Sequence, residues 1–148
     1  MNLHIREFQE QDKSVYFEFS KKFYHSPAVL HAIDESNFHI TFSEIINGSP
    51  YAEGYMLFDG ETPIGYGLLS KTYSNEVGGM VVWLEELYIT EEYRGAGVGT
   101  SYFRFIEEKY RGKCKRLRLE VSKENPNAIR LYRRLGYDFL DYLQMVVE

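Results

Sequence analysis

The stretch Trp-Leu-Glu-Glu-Leu-Tyr-Ile-Thr-Glu-Glu-Tyr-Arg-Gly-Ala-Gly-Val-Gly-Thr-Ser-Tyr-Phe, from Trp83 to Phe103, joins an apolar strand to a glycine-rich turn that opens a helix. Gly95, Gly97 and Gly99 leave three positions without a Cβ, so the backbone can bend tightly and come close to an anion. The first N–H groups of the following helix lack intrahelical partners, and its aligned peptide dipoles add about half a positive charge there. Together these features suit a phosphate.

Other phosphate loops fit less well. A dinucleotide fingerprint needs Gly-x-Gly-x-x-Gly directly after a strand; here Thr100 stands at the third glycine and residues 90–93 separate strand from turn, while Glu120 is only a partial match downstream. A Walker A loop needs Gly-Lys-Ser/Thr, which is absent. A plain surface turn would explain the glycines but not the amphipathic helix after them.

With 148 residues the chain reads as one domain, 1–148, large enough to bury a core without staples. The single cysteine, Cys114, excludes an internal disulfide, and the start Met-Asn-Leu-His-Ile-Arg lacks the apolar stretch of a signal peptide, so a soluble, cytoplasmic protein is expected. No apolar run approaches the roughly 20 residues of a membrane span. The net charge of -5 argues against general nucleic-acid affinity and suits a cationic small substrate. Thirteen tyrosines and ten phenylalanines read as core and pocket wall, because the interleaved basic residues of a base-stacking platform are missing. His4, His25, His31 and His39 are spaced too widely for a compact zinc pair, and no metal is expected. The basic stretch 111–118 around Cys114 should lower its thiol pKa, yet no histidine accompanies it and a nucleophilic role is not expected; the stretch reads as a solvated loop and strand edge.

Periodicity gives the order of elements. Residues 3–8 alternate as a strand, and residues 9–24 place Val15, Phe19 and Phe23 on one helical stripe. Ser26-Pro27 ends that helix, residues 38–46 form another, and residues 51–58 and 63–71 pair as a hairpin around Asp59-Gly60. A central strand at 77–89, a helix at 98–110, a strand at 117–121, a helix at 127–135 and a closing strand at 142–147 complete the chain. The expected fold class is α/β (α+β), a mixed sheet with helices on both faces.

A second motif follows the first. In Asn125-Pro-Asn-Ala128-Ile-Arg-Leu-Tyr132-Arg-Arg-Leu-Gly136-Tyr137, Asn125 suits an N-cap, Pro126 the first helical turn and Gly136 the left-handed stop. Ala128 and Tyr132 share one face. The run Arg94-Gly-Ala-Gly97-Val-Gly99 after Glu-Glu-Leu-Tyr-Ile resembles the acyl-CoA signature of the GNAT superfamily of N-acetyltransferases. The second motif resembles that family's Asn-x-x-Ala-x-x-x-Tyr-x-x-x-Gly-Tyr/Phe pattern, and the order of elements is also the family's.

The resemblance implies a mostly antiparallel GNAT-like sheet and ternary-complex transfer of acetyl from the cosubstrate acetyl-CoA to an amine. It implies that Arg94, Gly95, Ala96, Gly97, Val98, Gly99 and Thr100 cradle the phosphates. Leu87, Tyr88 and Ile89 would line the pantetheine, with Asn125 and Ala128 along the same arm. An ammonium of pKa about 10.4 costs about 4.6 kcal/mol to deprotonate at pH 7, so a base is useful. Glu85 is preferred by its spacing before Arg94, which resembles that of the base in polyamine-type relatives, and Glu86 comes second. Adjacent strand residues ordinarily point to opposite faces, so one of the two should face the substrate unless a bulge intervenes. Tyr132 would be the acid that protonates the leaving thiolate. The expected partner is a small-molecule amine, with no nucleic acid or membrane; a homodimer is compatible. A non-catalytic acyl-CoA-binding module and an enzyme acting on protein or peptide amines are the alternatives, and residues 25–47 would choose the acceptor.

Overall fold

A computed structural model describes all 148 residues. Its frame is a five-stranded sheet in the order β1-β2-β3-β4-β5, with β1 Leu3–Glu7, β2 Ala52–Asp59, β3 Thr62–Ser74, β4 Gly79–Ile89 and β5 Arg116–Arg118. The first four strands run antiparallel and β5 joins β4 in parallel. Helices α1 Lys13–Tyr24 and α2 Ser36–Ile46 cover one face. Helix α3 Val98–Tyr110 covers the other, and α4 Pro126–Arg134 packs on that same side.

Two apolar clusters show why the sheet is covered twice. Phe19 and Phe23 of α1 and Phe38 and Phe42 of α2 meet Met56, Tyr66, Leu68 and Tyr88 on one face. Tyr102, Phe103 and Ile106 of α3 meet Leu57, Ile64, Leu69, Val82 and Leu84 on the other. Gly67 fixes the seat of α3, since a Cβ there would lie 2.2 Å from the Tyr102 hydroxyl. The start of α1 is tied down by Asp12, whose carboxylate accepts from Arg6 at 2.7 and 3.0 Å and from the Gln9 amide at 2.7 Å. Residues 10–12 therefore form a 3-10 turn, and the α-helix begins later than the expected residue 9.

The closing strand expected at residues 142–147 does not form. A strand needs a ladder partner, and β5 stops after three residues, short of the expected 117–121. The segment is held instead by Tyr142 donating to Glu76 at 2.9 Å and Gln144 donating to Glu120 at 2.9 Å. Leu143, Met145 and Val147 are at least 96% exposed. A cavity of about 760 Å³ lies between β5, α4 and this segment. No helix is long and apolar enough to cross a membrane.

Candidate active site

The β3–β4 ladder pairs Leu69 with Leu84 and Leu68 with Glu86, so Glu85 has no opposite number. One extra residue on β4 is a β-bulge, and it changes the phase of the side chains. Before it, Val82 and Leu84 point to the α3 face; after it, Leu87 and Ile89 do, while Tyr88 lies in the α1/α2 cluster. The two glutamates at the phase change both face α1 and α2. Glu85, neighbour to Leu84, accepts from Ser70 Oγ at 2.7 Å, and Glu86 accepts from Tyr24 and Tyr66. The bulge is the exception allowed to the rule that adjacent strand residues face opposite sides, and it turns both glutamates to one face.

Their surroundings differ. Glu85 is exposed and keeps one protein partner. Glu86 is withdrawn between β3, β4 and α1, where burial pushes its carboxyl above the usual carboxylate range. Donation from Tyr24 at 2.5 Å and Tyr66 at 2.7 Å opposes that rise, and the Glu85 charge adds to it. Burial and Glu86 together hold the Tyr24 and Tyr66 phenols well above their ordinary range, so both stay protonated donors. Neither tyrosine is marked by any local motif; their meeting with Glu86 depends on the β3 register and the end of α1.

On its other edge β4 is paired for only part of its length. The parallel β4–β5 ladder covers only Val81, Val82 and Trp83, paired with Arg116, Leu117 and Arg118, and ends two residues before Glu85. Beyond it, Tyr88 aims its carbonyl at β3 beneath Gly65, so the Ile89 carbonyl points the other way, to that unpaired edge. There it accepts from Arg94 Nε at 2.9 Å. The glycine turn follows directly. Gly95 (φ 76°) and Gly97 (φ 84°) are left-handed, and Gly97 caps α3 without any side-chain acceptor. The first helical hydrogen bond is Ser101 N to Gly97 O, which leaves the amides of Val98, Gly99 and Thr100 without intrahelical partners. Residues 94–97, including Ala96, are exposed. Gly99 is ordinary helix; a Cβ there would rest 3.6 to 3.8 Å from Ile89, Leu131 and Leu87.

Those contacts bring α4 to that edge. Asn125 caps α4 by accepting from the Ala128 amide at 3.3 Å, with Pro126 in the first turn. Half-buried Ala128 and Tyr132 follow on one face. The Tyr132 ring packs 5.4 Å from Phe103 and 6.4 Å from Tyr137, and burial raises its phenol pKa, so the hydroxyl keeps its proton at neutral pH. Cys114 departs from expectation: it packs against the core, and burial pushes its thiol up rather than down.

A parallel strand pair that ends after three residues, a glycine turn opening α3 and a carboxylate on a bulge define an α/β domain with a free helix start beside its sheet. Over residues 7–137 the chain matches the Acetyltransferase (GNAT) family, and it belongs to that family. It is similar to the Thialysine N-epsilon-acetyltransferase of Mus musculus, 35% identical over 67% of this chain and 55% of that protein. It is also similar to the Spermine/spermidine N(1)-acetyltransferase of Bacillus subtilis (strain 168), 37% identical over 50% of this chain and 49% of that one. The chain spans about half the length of these curated relatives. Among solved structures, a possible acetyltransferase from Clostridium difficile 630 superposes with a TM-score of 0.81 at 20% identity, covering 100% of this chain and 98% of that one. Aminoglycoside N-acetyltransferase AAC(6')-Iy in complex with CoA gives 0.80 at 15% identity over 99% and 94%. These two likenesses establish the GNAT-like fold.

Proposed function

We propose that residues 1–148 act as one domain that moves acetyl from acetyl-CoA to the primary amine of a small cationic molecule by direct attack in a ternary complex. The observation that carries this reading is Glu86: a withdrawn carboxylate with two phenol donors and no cation, on the same strand that leads into the glycine turn. Its missing positive partner is the acceptor's ammonium. The names of the relatives, thialysine and spermine/spermidine acetyltransferases, point to the same aliphatic amine chemistry.

The residues present suit acetyl-CoA. The exposed turn offers the amides of Val98, Gly99 and Thr100 and the Arg94 guanidinium to phosphates, and the Ile89 carbonyl edge, with Leu87, Tyr88, Asn125 and Ala128, would hold the pantetheine arm. Bound there, acetyl-CoA supplies an activated thioester carbonyl. Glu86 then takes a proton from the ammonium, which its withdrawn position favours because a carboxylate at an ordinary pKa is a poor base for an amine. Glu85, at the solvent edge of the same face, draws the cation in. Tyr132 returns a proton to the departing sulfur. Turnover releases one net proton when the acceptor enters as ammonium and leaves as an amide.

Acetyl-CoA turnover, corrected for hydrolysis, across polyamines, amino acids, aminoglycosides and peptides tests the reading, with Gly97→Asp as its site control. The aspartate strains a left-handed position and sets a negative charge where phosphate should sit, so CoA affinity by calorimetry falls at least about tenfold, the scale of one unfavourable charge contact at a helix start. Undiminished affinity in a folded Gly97→Asp moves the cosubstrate elsewhere. Absence of turnover with every amine makes the domain a binding module.

A further inference from the structure

The Glu86 carboxylate is held by two phenols that come from different elements and grip different oxygens. Tyr24, the last residue of α1, donates to Oε2; Tyr66, in the middle of β3, donates to Oε1. Each is fixed by its own ring contacts. Tyr66 is fully buried, with Tyr16 edge-on at 5.2 Å and Tyr88 stacked at 6.2 Å. Tyr24 is set against Phe23 at 5.1 Å and Phe38 of α2 at 5.8 Å. A carboxylate whose two oxygens are both held by rigid donors cannot rotate, so its remaining lone pairs keep one direction.

The rest of its surroundings carry little charge. From α1 come Tyr16 and Tyr24, from β3 Tyr66 and from β4 the exposed Glu85; α2 contributes the apolar Phe38 and Phe42. The two phenols are thus the groups that favour the ionised form, against burial and Glu85.

Resting on the reading of Glu86 as the base, we infer that Tyr24 and Tyr66 are positioning residues for acetyl transfer. They aim both carboxylate oxygens at the acceptor ammonium and set how tightly Glu86 holds the proton it receives. Their worth is opposite to that of a nonpolar wall. Without them burial and Glu85 would raise the carboxyl further, and a carboxyl that is already protonated cannot accept a proton from the substrate. Because Tyr24 ends α1, where residues 25–35 lead to α2 without regular structure, the same hydroxyl ties the acceptor side of the cleft to the base.

The test titrates Glu86 directly, by carboxyl 13C NMR of the full chain, in wild type, Tyr24→Phe, Tyr66→Phe and the double variant. The acid limb of kcat/KM is measured beside it with spermidine and acetyl-CoA. A hydrogen bond to a charged group is lost in each single variant while the ring is kept. The Glu86 midpoint should therefore rise by about one pH unit, a tenfold change in proton affinity, and further in the double variant. The acid limb should rise with it. Tyr110→Phe, which removes a phenol donor from a carboxylate on the opposite face, should leave both unmoved. A Glu86 midpoint that stays put or falls in the Tyr24 and Tyr66 variants overturns the inference. A midpoint that rises while the acid limb stays still overturns Glu86 as the base, and with it the catalytic role of the phenols.

Discussion

Glu53 and Glu86 sit on opposite faces of one sheet, and each accepts hydrogen bonds from two tyrosines. Glu53, on β2, takes them from Tyr55 and Tyr110, and Glu86, on β4, from Tyr24 and Tyr66. Beyond the phenols the two part company. Glu53 also meets Lys71 at 3.0 Å and Lys109 at 3.5 Å. Burial would raise its pKa, but the bonds from Tyr110, Tyr55 and Lys71 and the charge of Lys109 outweigh it and bring it down to about 2. Glu86 has no such cation, and burial wins. Two phenols alone leave a carboxylate poised to take a proton, whereas two phenols and two lysines make it a permanent anion that clamps β2, β3 and α3 together. The cations decide which carboxylate is locked into the fold and which keeps a raised proton affinity.

The sharpest way to break that contrast is Glu86→Gln. It should lower kcat/KM by about 10² to 10⁴, the usual worth of a positioned base, when measured with an accepted amine. Its stability should not fall. A carboxyl whose folded pKa is raised binds more protons folded than unfolded, so its ionisation costs stability as pH rises from the ordinary carboxyl range through the raised value. The glutamine variant lacks that cost, and its thermal midpoint at pH 8 should equal or exceed that of wild type. Near-wild-type turnover would remove Glu86 from the mechanism.

Glu53→Gln should behave the other way round. It strands two lysines and weakens a network whose carboxylate is 18% exposed, so unfolding in urea should show a loss of about 2 to 3 kcal/mol, just below the cost of breaking a fully buried pair. Its kcat/KM should stay within about twofold, the size of change expected away from reacting groups. The folded pKa is depressed here, so the stability Glu53 contributes is present above the ordinary carboxyl range and lost as pH falls through about 2. Acid unfolding of wild type should therefore be steeper than that of the variant between about pH 4.5 and 2, a window set by the ordinary and depressed values.

What could be read from the chain beforehand follows the range of the interactions. The glycine turn, the start of α3 and the cap of α4 are local devices, set by Gly97 and by Asn125 with Pro126, and they form where the residues indicate. The antiparallel strands follow their alternation. The bulge does not, because Glu85 stands out only against the register of β3; period two alone allows a bulge there without locating one. The phenols on Glu86 lie 62 and 20 residues away and carry no motif. Preference for Glu85 came from spacing to Arg94, a measure that ignores how deeply each carboxylate is withdrawn. The closing strand was legible as a pattern at residues 142–147, but alternation alone supplies no ladder partner beyond the three residues of β5. Cys114 failed for a related reason: neighbouring positive charges in sequence count for less than the apolar surface the thiol packs on.

The smallest expected effect belongs to Glu85→Gln, and it sharpens the comparison by isolating the one charge that acts on Glu86 from outside the phenol cage. Glu85 is exposed and bound to Ser70, so removing its charge should barely alter the fold. Its negative charge raises the Glu86 pKa; without it the acid limb of kcat/KM should move to lower pH, opposite to the shift expected for the tyrosine variants. Because the charge sits at the solvent edge, added salt should shrink that displacement in wild type against variant, whereas the tyrosine shifts, made by direct hydrogen bonds, should persist. The Michaelis constant for a cationic acceptor should rise about two- to fivefold, the worth of one exposed ion contact. A profile of kcat/KM against pH at low and high salt decides it. If Glu85→Gln instead abolishes turnover while Glu86→Gln keeps it, the base is the exposed glutamate, and the withdrawn one is a structural carboxylate like Glu53 without its lysines.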